Sequence, residues 1–204
     1  CITKRIPSQA GLGGGSADAA AVLTALRVLF APNMPNSQLR QIGAQVGADV
    51  PFCLTGGCCL AQGVGERLTP LPCLPAAFSV ALVKPRQGVR TEGAYAALDA
   101  VALAHPQTAL AVEAARAGDW PTLFSLCANV FEQVSAPPGL ARAKTEARRA
   151  GALLTQMTGS GSAVFGVLRV NLRQPQQDAI VAALRALDSR VLLCKPVNRG
   201  VEII

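Results

Sequence analysis

The stretch that decides the fold is IPSQAGLGGGSADAAAVL, residues Ile6–Leu23. Four of the five positions 11–15 are glycine, and an alanine-rich segment that favours helix follows at once. Glycine leaves main-chain N–H groups uncovered, and the N-terminus of a helix carries the positive end of its dipole. Uncovered N–H groups in front of a helix attract an anion, so this stretch predicts a phosphate-binding loop.

Composition limits the class of protein. The chain has 204 residues, of which 50% are apolar and 15% charged, and this balance predicts a folded chain with a sizeable core. The net charge is +7, but the cations are scattered and aromatic residues make up only 4%, so no stacking platform for nucleic acid is evident. No apolar run approaches the roughly 18–20 residues of a membrane span. We therefore expect a small-molecule substrate, with no nucleic-acid or membrane partner, and the positive charge suits an acidic substrate.

The seven cysteines predict reduced thiols rather than a disulfide framework or a metal site. Their number is odd, no C-x-x-C pair occurs, and His105 is the only histidine. Cys53 and Cys194 lie among apolar residues, where a thiol behaves as a small hydrophobic side chain. The pattern favours a reducing, intracellular compartment.

Periodicity and chain-breaking residues predict an α+β order of elements. Strands are predicted at Ile2–Ile6, Phe78–Val83, Ser162–Leu168 and Val191–Pro196, with a hairpin broken at Gly56-Gly57. Helices are predicted at Ser16–Phe30, Gln38–Val46, Thr91–Ala104, Leu110–Ala117, Thr122–Val134, Leu140–Ala150 and Gln176–Leu187. Ser16 and Ser37 are the expected N-caps of the first two helices. Strict βαβ alternation is absent, which favours an α+β sandwich.

Two common phosphate-binding loops do not fit the glycine stretch. A Walker loop needs a lysine after its last glycine, and no lysine occurs between Lys4 and Lys84. The dinucleotide fingerprint G-x-G-x-x-G begins at Gly11 but meets Ser16 at its third glycine position. The acidic residue that this fingerprint requires about 20 residues further on is also absent.

Residues Pro7–Ala17 follow the form P-x-x-x-G-L-G-x-x-S-[AS]. This form resembles the ATP-binding motif of the GHMP kinases, a family that includes galacto-, homoserine, mevalonate and phosphomevalonate kinases. The resemblance implies that the loop wraps the nucleotide phosphates and that Ser16 lies beside the metal–phosphate cluster, in contact with Mg²⁺. The implied ATP-binding residues are Pro7, Ala10, Gly11, Leu12, Gly13, Gly14, Gly15, Ser16 and Ala17.

Three further stretches are similar to one branch of this family, which phosphorylates 4-diphosphocytidyl-2-C-methyl-D-erythritol. GADVPFCLTGGCCLAQGVGERLTPL resembles the segment with the catalytic aspartate, here Asp49, although an isolated Asp before Val-Pro is more often a turn residue. KPRQGVRT resembles the substrate-side loop and implies a contact from Thr91. MTGSGSAVFG resembles the second glycine-rich motif, which implies main-chain donors at Gly159, Ser160, Gly161 and Ser162.

The resemblance implies a two-domain α+β GHMP kinase fold. Residues 1–65 are expected to be part of a ribosomal-protein-S5-like ATP domain, to which residues 196–204 return. Residues 66–195 are expected to form a ferredoxin-like α/β sandwich on the substrate side. Because family members carry an upstream segment with a phosphate-stabilising lysine, which Lys4 does not match, we expect the sequence to begin inside a longer protein.

The implied reaction is the transfer of a phosphoryl group from ATP, with Mg²⁺, to the 2-hydroxyl of the cytidyl substrate in non-mevalonate isoprenoid biosynthesis. We expect a monomer or homodimer in the bacterial cytoplasm, with the plastid stroma as the alternative location. Homoserine or mevalonate as the acceptor, and a non-catalytic nucleotide-binding module, stay open as alternatives. The resemblance also leaves open whether the isolated chain is active.

Overall fold

A computed structural model describes residues 3–85, 91–169 and 189–203. Among these residues, 3–5, 13–73 and 197–203 form one compact unit, called unit 1 below. Residues 6–12, 74–85, 91–169 and 189–196 form a second compact unit, unit 2. The chain therefore passes from unit 2 to unit 1 between Leu12 and Gly13, inside the glycine-rich stretch. The predicted domain boundaries at residues 65 and 195 stay predictions.

Unit 1 consists of three helices and a hairpin. The helices are α1 (Gly14–Phe30), α2 (Asn36–Val46) and α3 (Val50–Thr55), and the hairpin pairs β1 (Cys58–Gln62) with β2 (Arg67–Leu71). Gly43 lets α2 approach α3 closely, since a Cβ there would lie 3.0 Å from Val50 Cγ1. The segment after residue 197 closes the unit, because Val201 N donates to Cys53 O at 3.2 Å.

Unit 2 contains a four-stranded antiparallel sheet. Its strands are β3 (Phe78–Pro85), β4 (Leu154–Met157), β5 (Val164–Arg169) and β6 (Ser189–Cys194), in the spatial order β4-β5-β3-β6. Its helices are α4 (Thr91–Asp99), α5 (Thr108–Ala117), α6 (Trp120–Leu126), the 3₁₀-helix η1 (Val130–Gln133) and α7 (Leu140–Arg149). This strand order is that of the ferredoxin-like arrangement, which agrees with the α+β fold expected from the sequence.

The core of unit 2 lies between α7 and the sheet. Leu140, Ala143 and Ala147 repeat at helical spacing along α7 and are buried together with Val164 and Met157 of the sheet. Small residues permit this contact, since a Cβ on Gly166 would lie 3.4 Å from Ala147 Cβ. No helix in the described parts of the chain is long and apolar enough to cross a membrane.

Four local predictions are wrong, each for a physical reason. Residues 3–6 are not a strand, because neither described sheet supplies a partner ladder. Ser16 is not an N-cap, since Gly13 already holds that position in the left-handed conformation. Ser37 also lies inside its helix, because Pro35 is the N-cap of α2. The apolar residues before Gly56-Gly57 form α3, and the hairpin turns at residues 63–66 instead.

The remaining predictions differ mainly at element ends. The strands predicted around Phe78, Ser162 and Val191 are confirmed, with ends that shift by up to two residues. The helix predicted over 91–104 ends at Asp99, and that over 122–134 is split into α6 and η1 by residues 127–129. Strand β4 was not expected, and the helix predicted at Gln176–Leu187 lies outside the described residues.

Candidate functional site

The glycines of the first loop have two different structural roles. A Cβ on Gly13 or Gly15 would meet no atom within 4 Å, so these positions leave open space at the start of α1. A Cβ on Gly11 would instead lie 2.0 Å from Thr158 O. Gly11 and Gly13 also have φ angles of 68° and 62°, which only glycine adopts at little cost. Gly13 and Gly15 therefore suit a ligand, whereas Gly11 suits close packing.

The N-terminus of α1 fits an anion. Gly13 is its N-cap and has no side chain that could accept a hydrogen bond from the first-turn N–H groups of residues 14–16. The first turn contains no acidic side chain. The hydroxyl of Ser16 lies in this turn, and Asp18 is paired with Lys4. Open space, uncapped N–H groups and the dipole of a 17-residue helix together match what a phosphate group requires.

The second glycine loop, residues 158–163 between β4 and β5, lies against the first loop within unit 2. Thr158 Oγ1 donates to Gly11 O at 2.8 Å, and Ala163 N donates to Ala10 O at 3.2 Å. Gly159 is exposed, whereas Ser160, Gly161 and Ser162 are buried. Sequence reasoning identified both loops but missed Thr158 as the residue that joins them, because its role depends on a partner 147 residues away.

Asp49 is the N-cap residue of α3 in unit 1, and its side chain is exposed. Its backbone oxygen accepts from Cys53 N at 3.0 Å, but its carboxylate makes no capping hydrogen bond. The carboxylate is therefore not used to cap α3. Burial, with a smaller contribution from the Asp49 charge, raises the pKa of the Cys53 thiol.

The substrate-side loop is only partly described. Thr91 is the first residue of α4, and its side chain lies outside the described residues, as do residues 86–90. Lys84 Nζ donates to Pro85 O at 2.6 Å, and burial lowers the pKa of Lys84.

Glu66 belongs to the turn of the hairpin, where its carboxylate accepts from Val64 N at 2.8 Å. Within the described residues, no group of three or more His, Cys, Asp or Glu side chains could hold a metal ion.

The cysteine environments lead to a testable prediction. Burial raises the pKa of the Cys127 and Cys194 thiols. Because the thiolate is the reactive form, we expect both residues to react with iodoacetamide at pH 8 at least about tenfold more slowly in the folded protein than in urea. Peptide mass spectrometry over a time course measures this ratio. Equal rates in both states would contradict the described burial.

The fold and the glycine-rich segments of each unit indicate a class of protein. An uncapped helix N-terminus preceded by glycine in unit 1, and a glycine-rich loop between two strands in unit 2, are both typical of proteins that bind nucleotide phosphates. Residues 1–57 match the family GHMP kinases N terminal domain, and residues 111–191 match GHMP kinases C terminal.

Several curated proteins are similar to the chain. A 4-diphosphocytidyl-2-C-methyl-D-erythritol kinase of Desulfitobacterium hafniense (strain Y51) is 42% identical over 203 residues, which cover 98% of the chain and 69% of that relative. A kinase of the same name from Acetivibrio thermocellus is 43% identical over 81% of the chain and 59% of its own length. The chain therefore spans about three-fifths to two-thirds of the length of these relatives.

Solved structures agree with these similarities. A crystal structure of 4-(cytidine 5'-diphospho)-2C-methyl-D-erythritol kinase aligns with a TM-score of 0.72 and 34% identity, covering 94% of the chain and 68% of that structure. Homoserine kinase from Cytophaga hutchinsonii aligns with a TM-score of 0.80 at 24% identity, over 97% of the chain and 70% of that structure, which shows the shared fold. The chain belongs to the GHMP kinase family, and the predicted family and fold class are confirmed.

Proposed function

We propose that the protein is an ATP-dependent kinase that phosphorylates the 2-hydroxyl of 4-diphosphocytidyl-2-C-methyl-D-erythritol. The observation that carries the phosphoryl chemistry is the uncapped N-terminus of α1, with open space at Gly13 and Gly15. The choice of acceptor rests on the name of the relatives that are 42% and 43% identical to the chain. A cytidine diphosphate group is acidic, which suits the net charge of +7.

In this proposal the first loop binds and orients the nucleotide. The N–H groups of residues 14–16 donate to phosphate oxygens, and the space at Gly13 and Gly15 lets the phosphates approach the main chain. Ser16, in the first turn of α1, would hold Mg²⁺, which would supply positive charge to the phosphates.

Asp49 acts on the acceptor. Its carboxylate orients the 2-hydroxyl and accepts its proton as the oxygen bonds to the transferred phosphorus and the bond to the ADP oxygen breaks. The second glycine loop supplies main-chain donors to the transferring group, and Thr91 contacts the substrate. We also propose that the enzyme works in the bacterial cytoplasm on a small-molecule substrate, as a monomer or homodimer.

The test is ADP release by the full-length protein with ATP, Mg²⁺ and one of three acceptors. We expect turnover with 4-diphosphocytidyl-2-C-methyl-D-erythritol and at least about a hundredfold lower kcat/KM with homoserine and mevalonate, since neither carries the cytidyl group. Preference for another acceptor would keep the kinase chemistry but refute the proposed substrate. ATP binding without turnover on any acceptor would indicate a non-catalytic nucleotide-binding module.

A further inference from the structure

Asn129 joins η1 to the second glycine loop. Its Nδ2 donates to Met157 O and to Gly159 O, both at 2.8 Å, and its Oδ1 accepts from Phe131 N at 3.0 Å. Both amide N–H groups and the amide oxygen are therefore used. The opposite amide orientation would turn the oxygen toward two carbonyl groups, so the three partners fix which atom points toward the loop.

Glu132 holds the same segment one turn later. Its Oε1 accepts from Met157 N at 2.6 Å, and its Oε2 is paired with Lys144 of α7. β4 is an edge strand of the sheet, so the Met157 N–H on its open side would otherwise lack a strand partner. The Glu132 carboxylate satisfies this N–H, and the ion pair with Lys144 fixes where the carboxylate lies.

Met157 at the end of β4 and the first two residues of the second loop, Thr158 and Gly159, are thus held from two sides. Asn129 and Glu132 hold Met157, and Asn129 also holds Gly159. The first glycine loop holds Thr158, whose Oγ1 donates to Gly11 O. A shift of η1 would therefore move Thr158 and, with it, the backbone at Gly11. This connection exceeds what a helix cap requires, because the cap of η1 uses only Asn129 Oδ1.

The joining residues do not belong to the apolar core. Asn129, Glu132 and Lys144 line a cavity of about 570 Å³ within unit 2. Polar replacements at these positions can therefore remain solvated, and their effects report on the hydrogen bonds rather than on a core void.

We propose that Asn129 and Glu132 are positioning residues that hold the second glycine loop in the geometry that phosphoryl transfer requires. The effect on catalysis rests on the proposed function. The hydrogen bonds that position the second loop are a property of unit 2 and can be measured without turnover. Neither residue touches the reacting atoms in this proposal.

The decisive variant is Asn129→Asp. It keeps Oδ1 for Phe131 N but places a charged oxygen opposite the carbonyls of Met157 and Gly159. The matched control is Gln133→Glu, the same amide-to-acid change at the last residue of the 3₁₀-helix that Asn129 caps. Gln133 bonds to Ala104 instead, accepting from its N at 3.0 Å and donating to its O at 2.7 Å.

We expect kcat to fall by about 10- to 100-fold in Asn129→Asp, since small displacements of catalytic groups cost this much, and to stay within about twofold in Gln133→Glu. The Kd for ATP should change far less than kcat. In hydrogen exchange, the amides of residues 157–161 should exchange at least about tenfold faster in Asn129→Asp and at an unchanged rate in Gln133→Glu.

A second pair keeps the proposal testable if Asn129→Asp fails to fold. Glu132→Gln retains an oxygen that can accept from Met157 N, whereas Glu132→Ala does not. The Gln variant should therefore keep most of the exchange protection and kcat that the Ala variant loses.

Equal effects of Glu132→Gln and Glu132→Ala would overturn the proposal that these residues position the second loop. Unchanged exchange in a folded Asn129→Asp protein would overturn it as well. Faster exchange with kcat within twofold of the wild type would overturn its catalytic role. If the wild-type protein turns over no acceptor, the proposed function fails, while the exchange measurement still decides whether the loop is held.

Discussion

Replacement of Asp49 by Asn is expected to lower kcat by a factor of roughly 10²–10⁴, the range typical for loss of a general base. Asn has nearly the same size but cannot accept the proton of the acceptor hydroxyl. The local fold should be unchanged, since the bond from Cys53 N goes to the backbone oxygen of residue 49 and the carboxylate makes no capping bond. The Kd for ATP should therefore stay within about threefold, because fold and nucleotide site are both retained.

Asp119→Asn is the matched control for this experiment. Asp119 is also an N-cap followed two residues later by proline, but its carboxylate caps α6 by accepting from Thr122 N at 3.1 Å. Asn caps helices about as well as Asp, so this variant should keep its kcat. Steady-state ADP release and calorimetric titration with ATP measure the two quantities. Unimpaired turnover of Asp49→Asn would remove Asp49 from the mechanism.

Gly11→Ala is expected to lower the free energy of unfolding of unit 2 by about 2–5 kcal/mol, the sum of backbone strain and steric overlap. The strain comes from a φ of 68°, and the overlap from a Cβ that would lie 2.0 Å from Thr158 O and 3.0 Å from Gly161 N. Because these atoms are backbone, the second loop has to shift, and kcat should fall as well.

Gly118→Ala separates the two contributions. Gly118 has almost the same φ, 69°, but a Cβ there would meet no atom within 4 Å. This control should therefore lose only the strain, about 1–2 kcal/mol. Urea unfolding followed by the fluorescence of Trp120, the single tryptophan, reports on unit 2, where its ring packs against Phe78. Equal losses in both variants would contradict the close contact between Gly11 and Thr158.

The sequence was sufficient for the family, for the fold class and for the positions of both glycine loops. These features depend on local sequence. Glycines expose the main chain, an alanine-rich segment that favours helix follows them, and apolar residues repeat at helix or strand spacing along the chain. The different roles of Gly11 and Gly13 could not be predicted, because they depend on how close each lies to Thr158 and Gly161, residues distant in sequence. Whether each implied site residue acts on a ligand stays a prediction.

The errors in the helix starts, in β4 and at Asn129 also arise from contacts that the local sequence does not show. Ser16 and Ser37 are good N-cap residues, but the observed N-caps, Gly13 and Pro35, lie three and two residues earlier. Propensity therefore predicted the helices but not their first residues. β4 is only four residues long and becomes a strand by pairing with β5. Asn129 has the sequence appearance of an ordinary cap, and its two bonds to the second loop depend on tertiary structure.

The passage of the chain from unit 2 to unit 1 at Leu12–Gly13 has a consequence for synthesis. Residues 6–12 are synthesised about 150 residues before Thr158 and Ala163, which donate to the carbonyls of Gly11 and Ala10. The closure of unit 1 likewise requires Val201, whose N donates to Cys53 O. Neither unit can close until these later residues are made, so the glycine-rich segment stays without its partners, and accessible to chaperones, while about 150 further residues are added.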